Sequence, residues 1–317
     1  MKKYFTVDAH TDVLLRCIKD NIELGKRLSL GHVDIPRLKE GNVKLQFFAI
    51  FVESKYKPER ALKQAILLLE KFYKELEKNR EDLVLIKNLS DLEKIEKNNK
   101  VGALLSIEGG EPIETTLELL DFFYRMGVRA MGLTWNERNM IANGAGEWGE
   151  AGGLSKFGKK VVKRMNKLGM IVDVSHITPP GFWDVIEISE KPIIASHSNA
   201  YALCNHPRNL TDLQIKALAE KNGVMGINFY SEFLNPKGKA TLEDIVKHID
   251  YIVELVGPNH VGMGSDFDGI PSWPKEIYDA SRFPLIFEEL EKRGYKEEDI
   301  KKIAGGNFLR VIRENWI

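Results

Sequence analysis

Eight short apolar runs punctuate this chain, and at least six of them end in a side chain that can bind a metal or move a proton. Phe5 to Ala9 runs into His10-Thr11-Asp12, Leu45 to Val52 follows, and Val101 to Ile107 ends at Glu108. Val128 to Thr134 precedes Trp135-Asn136, Met170 to Ser175 precedes His176, and Pro192 to Ser196 precedes His197. Gly223 to Ile227 leads into Asn228, and His260 to Ser265 into Asp266. Apolar runs this short, bounded by polar residues and separated by segments of helical period, read as buried parallel strands. Chemistry at the same end of successive strands is the pattern of an α/β (β/α)8 TIM-type barrel, of the metallo-dependent hydrolase kind, with its active site on the C-terminal rim.

The intervening segments fit that alternation. Between Glu59 and Asn79, Leu62, Ile66, Leu69, Phe72, Tyr73 and Leu76 form one stripe with Lys and Glu opposite. Helices are also expected over Ile113 to Met126, Lys156 to Leu168, Pro180 to Ser189, Leu213 to Lys221 and Ile245 to Val256. Pro284 to Arg293 and Glu297 to Glu314 complete the set. Thr241-Leu242-Glu243-Asp244 resembles a capping box, and Thr211 is placed to cap its helix. The chain has 317 residues, slightly more than the roughly 250 of a typical barrel, and shows no linker or repeat. A single domain over 1–317 is expected. The loop Asn143 to Gly153, with five glycines, is expected to cover the substrate.

Lys plus Arg equals Asp plus Glu at 46 each, a balance that favours neither nucleic acid nor an anionic membrane as partner. No run of 18 apolar residues could span a bilayer, and the apolar stretch behind Lys2-Lys3 is too short and too polar for a signal peptide. Cys17 and Cys204 form no CxxC pattern and read as buried thiols of a reducing compartment. A cytoplasmic protein is expected.

The strand ends carry the chemistry. His10 and Asp12, two apart in an extended segment, share a side and can grip one ion. Alone, Asp12 would serve as a helix cap and His10 as a core histidine. Glu108 is a carboxylate at the end of a buried strand, which is costly unless a cation or donors receive it. His176 and His197 end adjacent strands, and Asp266 ends the last, with Asp268-Gly269 read as a turn. Three imidazoles and three carboxylates without a thiolate suit catalytic Zn²⁺, Mn²⁺, Co²⁺ or Fe²⁺ better than a closed structural zinc site. Five ligands exceed one open tetrahedral zinc and match two ions sharing a carboxylate. Ser175-His176 and Ser196-His197 are not read as nucleophile–base pairs, because neighbours on a strand face opposite ways. His32, His206, His248 and His260 read as structural, with His248 on a polar helical face.

Val7-Asp8-Ala9-His10-Thr11-Asp12, Ile107-Glu108-Gly109-Gly110, Asp173-Val174-Ser175-His176, Ser196-His197-Ser198, Arg208-Asn209 and Gly264-Ser265-Asp266-Phe267-Asp268-Gly269 occur in order along nearly the whole chain, through Ala304-Gly305-Gly306-Asn307. Together they resemble the membrane (renal) dipeptidase family of zinc peptidases. The resemblance implies two zinc ions per chain, or other divalent transition metals, and hydrolysis of small dipeptides by a hydroxide bridging the two ions. It implies that His10 and Asp12 hold one ion, His176 and His197 the other, and Glu108 bridges them. Asp266 would then handle protons, Arg208 would pair with the C-terminal carboxylate, and the chain would form a homodimer. One departure stands out: Trp135 occupies the place where many members of that family have a substrate-contacting histidine. An indole cannot take a proton, so either Trp135 only shapes the pocket or Asn136 or a nearby group supplies the contact. Hydrolysis of a lactone, phosphoester or cyclic amide, or metal binding without catalysis, are the alternatives.

Overall fold

The computed structural model describes residues 2–149 and 152–316, so Glu150 and Ala151 of the glycine-rich loop lie outside the described residues. Among the described residues nine strands follow one another: β1 Thr6–Thr11, β2 Val43–Phe51, β3 Leu83–Leu85, β4 Val101–Glu108, β5 Val128–Gly132, β6 Ile171–Asp173, β7 Ile194–Ser198, β8 Val224–Ile227 and β9 Val261–Met263. Every strand pairing is parallel. β2 pairs with both β1 and β4, and β9 pairs with β1, so eight strands close into a barrel. All eight apolar runs become barrel strands. The sequence reading omitted β3, a three-residue strand beside the foot of β4, and the helix Leu89–Lys97 after it. Three residues are too few to show a period.

Two apolar layers hold the barrel. The inner layer takes Val7, Ala9, Leu45, Phe47, Leu104, Ala130, Ile171, Ile194 and Val224 from seven strands, together with Phe308, Leu309, Val311 and Ile312. β9 contributes Gly262 instead, and a Cβ there would meet the Phe308 ring at 2.6 Å. The glycine therefore makes room for an aromatic from the last helix, which closes the floor. The outer layer joins the opposite faces of the strands to the surrounding helices, for example Phe48, Ile50, Leu105 and Met131 against Leu69, Phe72 and Phe123.

The helices begin where their caps say. Thr211 and Thr241 make capping boxes with Gln214 and Asp244, and Ser155 accepts from the Gly158 amide at the start of Lys156–Leu168. The last expected helix is interrupted: Glu297–Lys301 and Asn307–Asn315 flank a π-turn at Lys302–Gly306. Gly305 sits there against the Phe5 carbonyl and Val7, where a Cβ would come within 2.7 Å of backbone. Among the described residues no helix is long and apolar enough to cross a membrane.

Candidate active site

The C-terminal rim gathers the chemistry-bearing side chains. His10 comes from the end of β1 and Asp12 from the residue capping the helix Val13–Lys19. Glu108 ends β4, His176 follows β6 by three residues, His197 lies in β7, and Asp266 follows β9 by three. His176, Asp266 and Asp268 have φ of 68, 61 and 67°, left-handed values that cost a non-glycine residue about 1–3 kcal/mol. These turns let side chains just past a strand bend back over the barrel mouth.

The geometry is that of two half-sites joined by one carboxylate. Glu108 Oε2 lies 3.4 Å from His10 Nε2, and its Oε1 lies 3.0 Å from His176 Nε2 and 3.6 Å from His197 Nε2. His10 Nε2 is 3.4 Å from Asp12 Oδ2 and 3.8 Å from Asp266 Oδ1. Ligand atoms held tetrahedrally at about 2.0–2.1 Å from zinc are roughly 3.3 Å apart, so these spacings bracket what a shared cation requires. His10, Glu108 and His197 form one group of converging ligand atoms, and His10, Asp12 and Asp266 a second.

Hydrogen bonds behind the imidazoles set their tautomers. His176 Nδ1 is 2.8 Å from Asn136 Oδ1, an acceptor only, so Nδ1 carries the proton. Ser196 Oγ donates to Asp173 Oδ2 at 2.5 Å and therefore accepts from His197 Nδ1 at 2.7 Å. Both Nε2 lone pairs then face each other at 2.8 Å. Two bare nitrogens so close repel unless a cation or proton stands between them. His10 Nε2 and Asp12 Oδ1 are buried without a hydrogen-bond partner. The donor set therefore fits divalent cations, and imidazole with carboxylate is what Zn²⁺ and its neighbours prefer.

Burial and charge divide the three imidazoles, and two of them meet the demand of a metal ligand. Burial, with Arg208 nearby, pushes His176 down to about 3, and burial and His10 hold His197 well below the ordinary range. Both stay neutral, as ligands must be. Burial opposes protonation of His10 as well, but Glu108 and Asp12 outweigh it and hold that imidazole well above its usual value. Burial would raise Glu108, yet His10 and His176 keep it ionised. Burial and the Glu108 charge lift Asp12 to about 6. Asp266 is pushed up to about 7 by burial, opposed by His10 and reinforced by Asp12 and Glu108.

Three sequence expectations change. Ser196 and His197 do touch, because β7 has a register shift between Ala195 and Ser198 that breaks strict alternation. Ser196 is nonetheless buried and committed to Asp173, so it supports the imidazole. The glycine-rich loop, in its described part, packs behind the site: the Ala145 amide donates to the His176 carbonyl at 2.7 Å and the Gly146 amide to the Asn136 carbonyl at 2.7 Å. His248 is buried, accepting from the Ala200 amide at Nδ1 and facing the Leu234 carbonyl at Nε2. Asn136 lines the cavity, but its amide oxygen is engaged with His176.

The sequence reading also missed parts of the site. Asn228 Nδ2 donates to Asp266 Oδ2 at 2.9 Å and is itself fixed by Asn199, which accepts from the Asn228 amide. A cavity of about 350 Å³, at the small end for ligand pockets, opens over the cluster between Phe51, Trp135, Tyr230, Phe233, Ile270 and Pro271. Asn228 was visible as a polar residue closing an apolar run; Tyr230 and Phe233 carried no such signal. Arg208 is buried beside Phe233 and donates to the His197 carbonyl at 3.1 Å. Burial pushes its guanidinium down to about 10, its Nε has no partner, and no carboxylate among the described residues pairs with it.

Comparison with known proteins points the same way. The family model described as membrane dipeptidase (peptidase family M19) matches residues 1–316. Dipeptidase aclJ of Aspergillus oryzae is 35% identical over 89% of this chain and 69% of its own length. A metallo peptidase of Rhodobacter sphaeroides, solved with a phosphinate mimic of the dipeptide L-Ala-D-Ala, superposes with TM-score 0.94 at 28% identity, covering 99% of this chain and all of that one. A second solved structure, a dipeptidase of family M19, gives TM-score 0.94 at 30% identity with 99% of each chain covered. A barrel whose rim joins imidazoles and carboxylates in this order, matched from end to end, makes this chain a member of the membrane dipeptidase family, peptidase family M19.

Proposed function

We propose that the protein hydrolyses dipeptides with a free C-terminal carboxylate, using two zinc ions held by His10 and Asp12 on one side, His176 and His197 on the other, and Glu108 between them. The observation that carries the reading is Arg208, a buried guanidinium without a carboxylate partner beside the ligand cluster. Such a charge is costly alone and is well matched to a carboxylate arriving with the substrate. Bound cations would supply Lewis-acid polarisation of the scissile carbonyl and a water nucleophile at neutral pH.

The chain's own groups do the rest. Arg208 anchors the substrate's C-terminal carboxylate, which limits length on that side to one residue past the scissile bond. Asp266 takes a proton from the attacking water and delivers it to the leaving nitrogen as the C–N bond breaks, giving a carboxylate and an amine. The Asn228 amide holds one oxygen of Asp266, so its other oxygen faces His10 and the reacting centre. Asn136, Ser196 and Asp173 keep both imidazoles in the ligand tautomer. A D-residue at the second position is included in the proposal, because the Rhodobacter sphaeroides relative binds a mimic of L-Ala-D-Ala. A cytoplasmic setting is supported by two buried, unbridged thiols.

Elemental analysis of protein purified without chelator should give two equivalents of metal per chain. A panel of dipeptides and tripeptides should show hydrolysis of dipeptides only, and Arg208→Ala should raise KM more than a hundredfold. Equal cleavage of tripeptides, or an unchanged KM, refutes the Arg208 role.

A further inference from the structure

We propose that Phe51 and Trp135 form an apolar wall that selects dipeptides with a bulky apolar or aromatic N-terminal residue. The inference rests on the dipeptidase reading and deepens it. Counted around the barrel, β2 is second and β7 sixth of eight closed strands, so they stand on opposite sides of the mouth. Phe51 is the last residue of β2, and Arg208 lies in the loop after β7. A dipeptide whose C-terminal carboxylate is on Arg208 and whose carbonyl is over the ligand cluster therefore directs its first residue toward Phe51.

That side of the cavity is lined by Leu15, Phe51 and Trp135. The two rings lie 5.2 Å apart at 51°, and the indole also leans on His176 at 6.0 Å. Behind them the Lys57 ammonium sits 5.4 Å from the Phe51 ring and 5.1 Å from the Trp135 ring. Glu111 and Glu137 hold that ammonium at 3.2 and 3.3 Å behind the rings, so the wall presents ring carbon to the cavity. At the lip, Lys19 is paired with Glu53. A charged side chain on the first residue would thus be desolvated against the rings without a partner, whereas a phenyl or isobutyl group would bury apolar area.

The test measures kcat/KM of the metal-loaded protein on X-L-Ala and X-D-Ala, with X = Gly, Ala, Leu, Phe, Asp and Lys. Phe and Leu are expected to exceed Gly by roughly tenfold to hundredfold, and Asp to fall below Gly. In Trp135→Ala the Phe-to-Gly ratio should collapse to within about threefold of one, chiefly through KM. Hydrolysis in which Gly equals or exceeds Phe, or a ratio unmoved in Trp135→Ala, overturns the wall while leaving the dipeptidase reading intact. Absence of hydrolysis across the whole panel overturns both.

Discussion

Gly269 gives the sharpest test of the ligand cluster. A methyl group at this position would lie 2.7 Å from Asp266 Oδ1 and 3.0 Å from Asp12 Cγ, between the two carboxylates that face His10. Ordinary carbon–oxygen contact needs about 3.4 Å or more, so Gly269→Ala must displace Asp266 by ~0.7 Å and Asp12 by at least as much. Metal–ligand distances tolerate only about 0.2 Å. A displacement several times larger removes a ligand from the half-site of His10 and Asp12 while leaving that of His176 and His197 intact. We expect metal content to fall from two equivalents to one, with the weaker site losing at least about a hundredfold in affinity against a chelating dye. The metal-free variant should melt within a few degrees of the parent, because the strain falls on side chains at an open mouth. Two tightly held equivalents in Gly269→Ala would refute the placement of a cation between Asp12 and His10.

The supporting residues make their own predictions. Ser196→Ala removes the acceptor of His197 Nδ1 and should weaken metal binding about 10–100-fold, read by chelator competition, with little loss of fold. Asn228→Ala removes a donor that lowers Asp266, so the acid limb of the kcat/KM–pH profile should move to higher pH; movement the other way would exclude Asp266 as the titrating base. His248, pushed down to about 4 by burial, stays neutral in the fold while the unfolded chain protonates near 6.5. Its contribution is complete above pH 6.5 and declines as pH falls toward 4, by about 3 kcal/mol in total. Urea unfolding at pH 4.5 and 7.5 should therefore show a smaller pH difference in His248→Gln than in the parent.

Much of the fold was legible because a parallel barrel buries both faces of each strand. Its strands then appear as uninterrupted apolar runs, and all eight were located, as were the helices opened by Thr211 and Thr241. Glu108, His176, His197 and Asp266 were legible for a related reason: a polar residue that closes a buried run has few structural uses. The π-turn at Lys302–Gly306 was hidden, because the apolar spacing of Glu297 to Glu314 is that of an unbroken helix. Gly305 packs there against Phe5 and Val7 of the distant N-terminal segment, a contact that helical spacing does not record.

What the amino-acid order determined by itself was local: where strands and helices lie, which residues stand at strand ends, and which chemistry those residues can perform. Only the closed barrel decided that Asn136 serves His176, that Asn228 serves Asp266, that Ser196 turns back onto His197, and that the strand ending in Phe51 stands opposite the strand that leads to Arg208. Those relations join residues far apart in the chain, or adjacent ones whose facing is reset by a register shift. Hydrophobic period carries no record of either, because it reports burial and not direction.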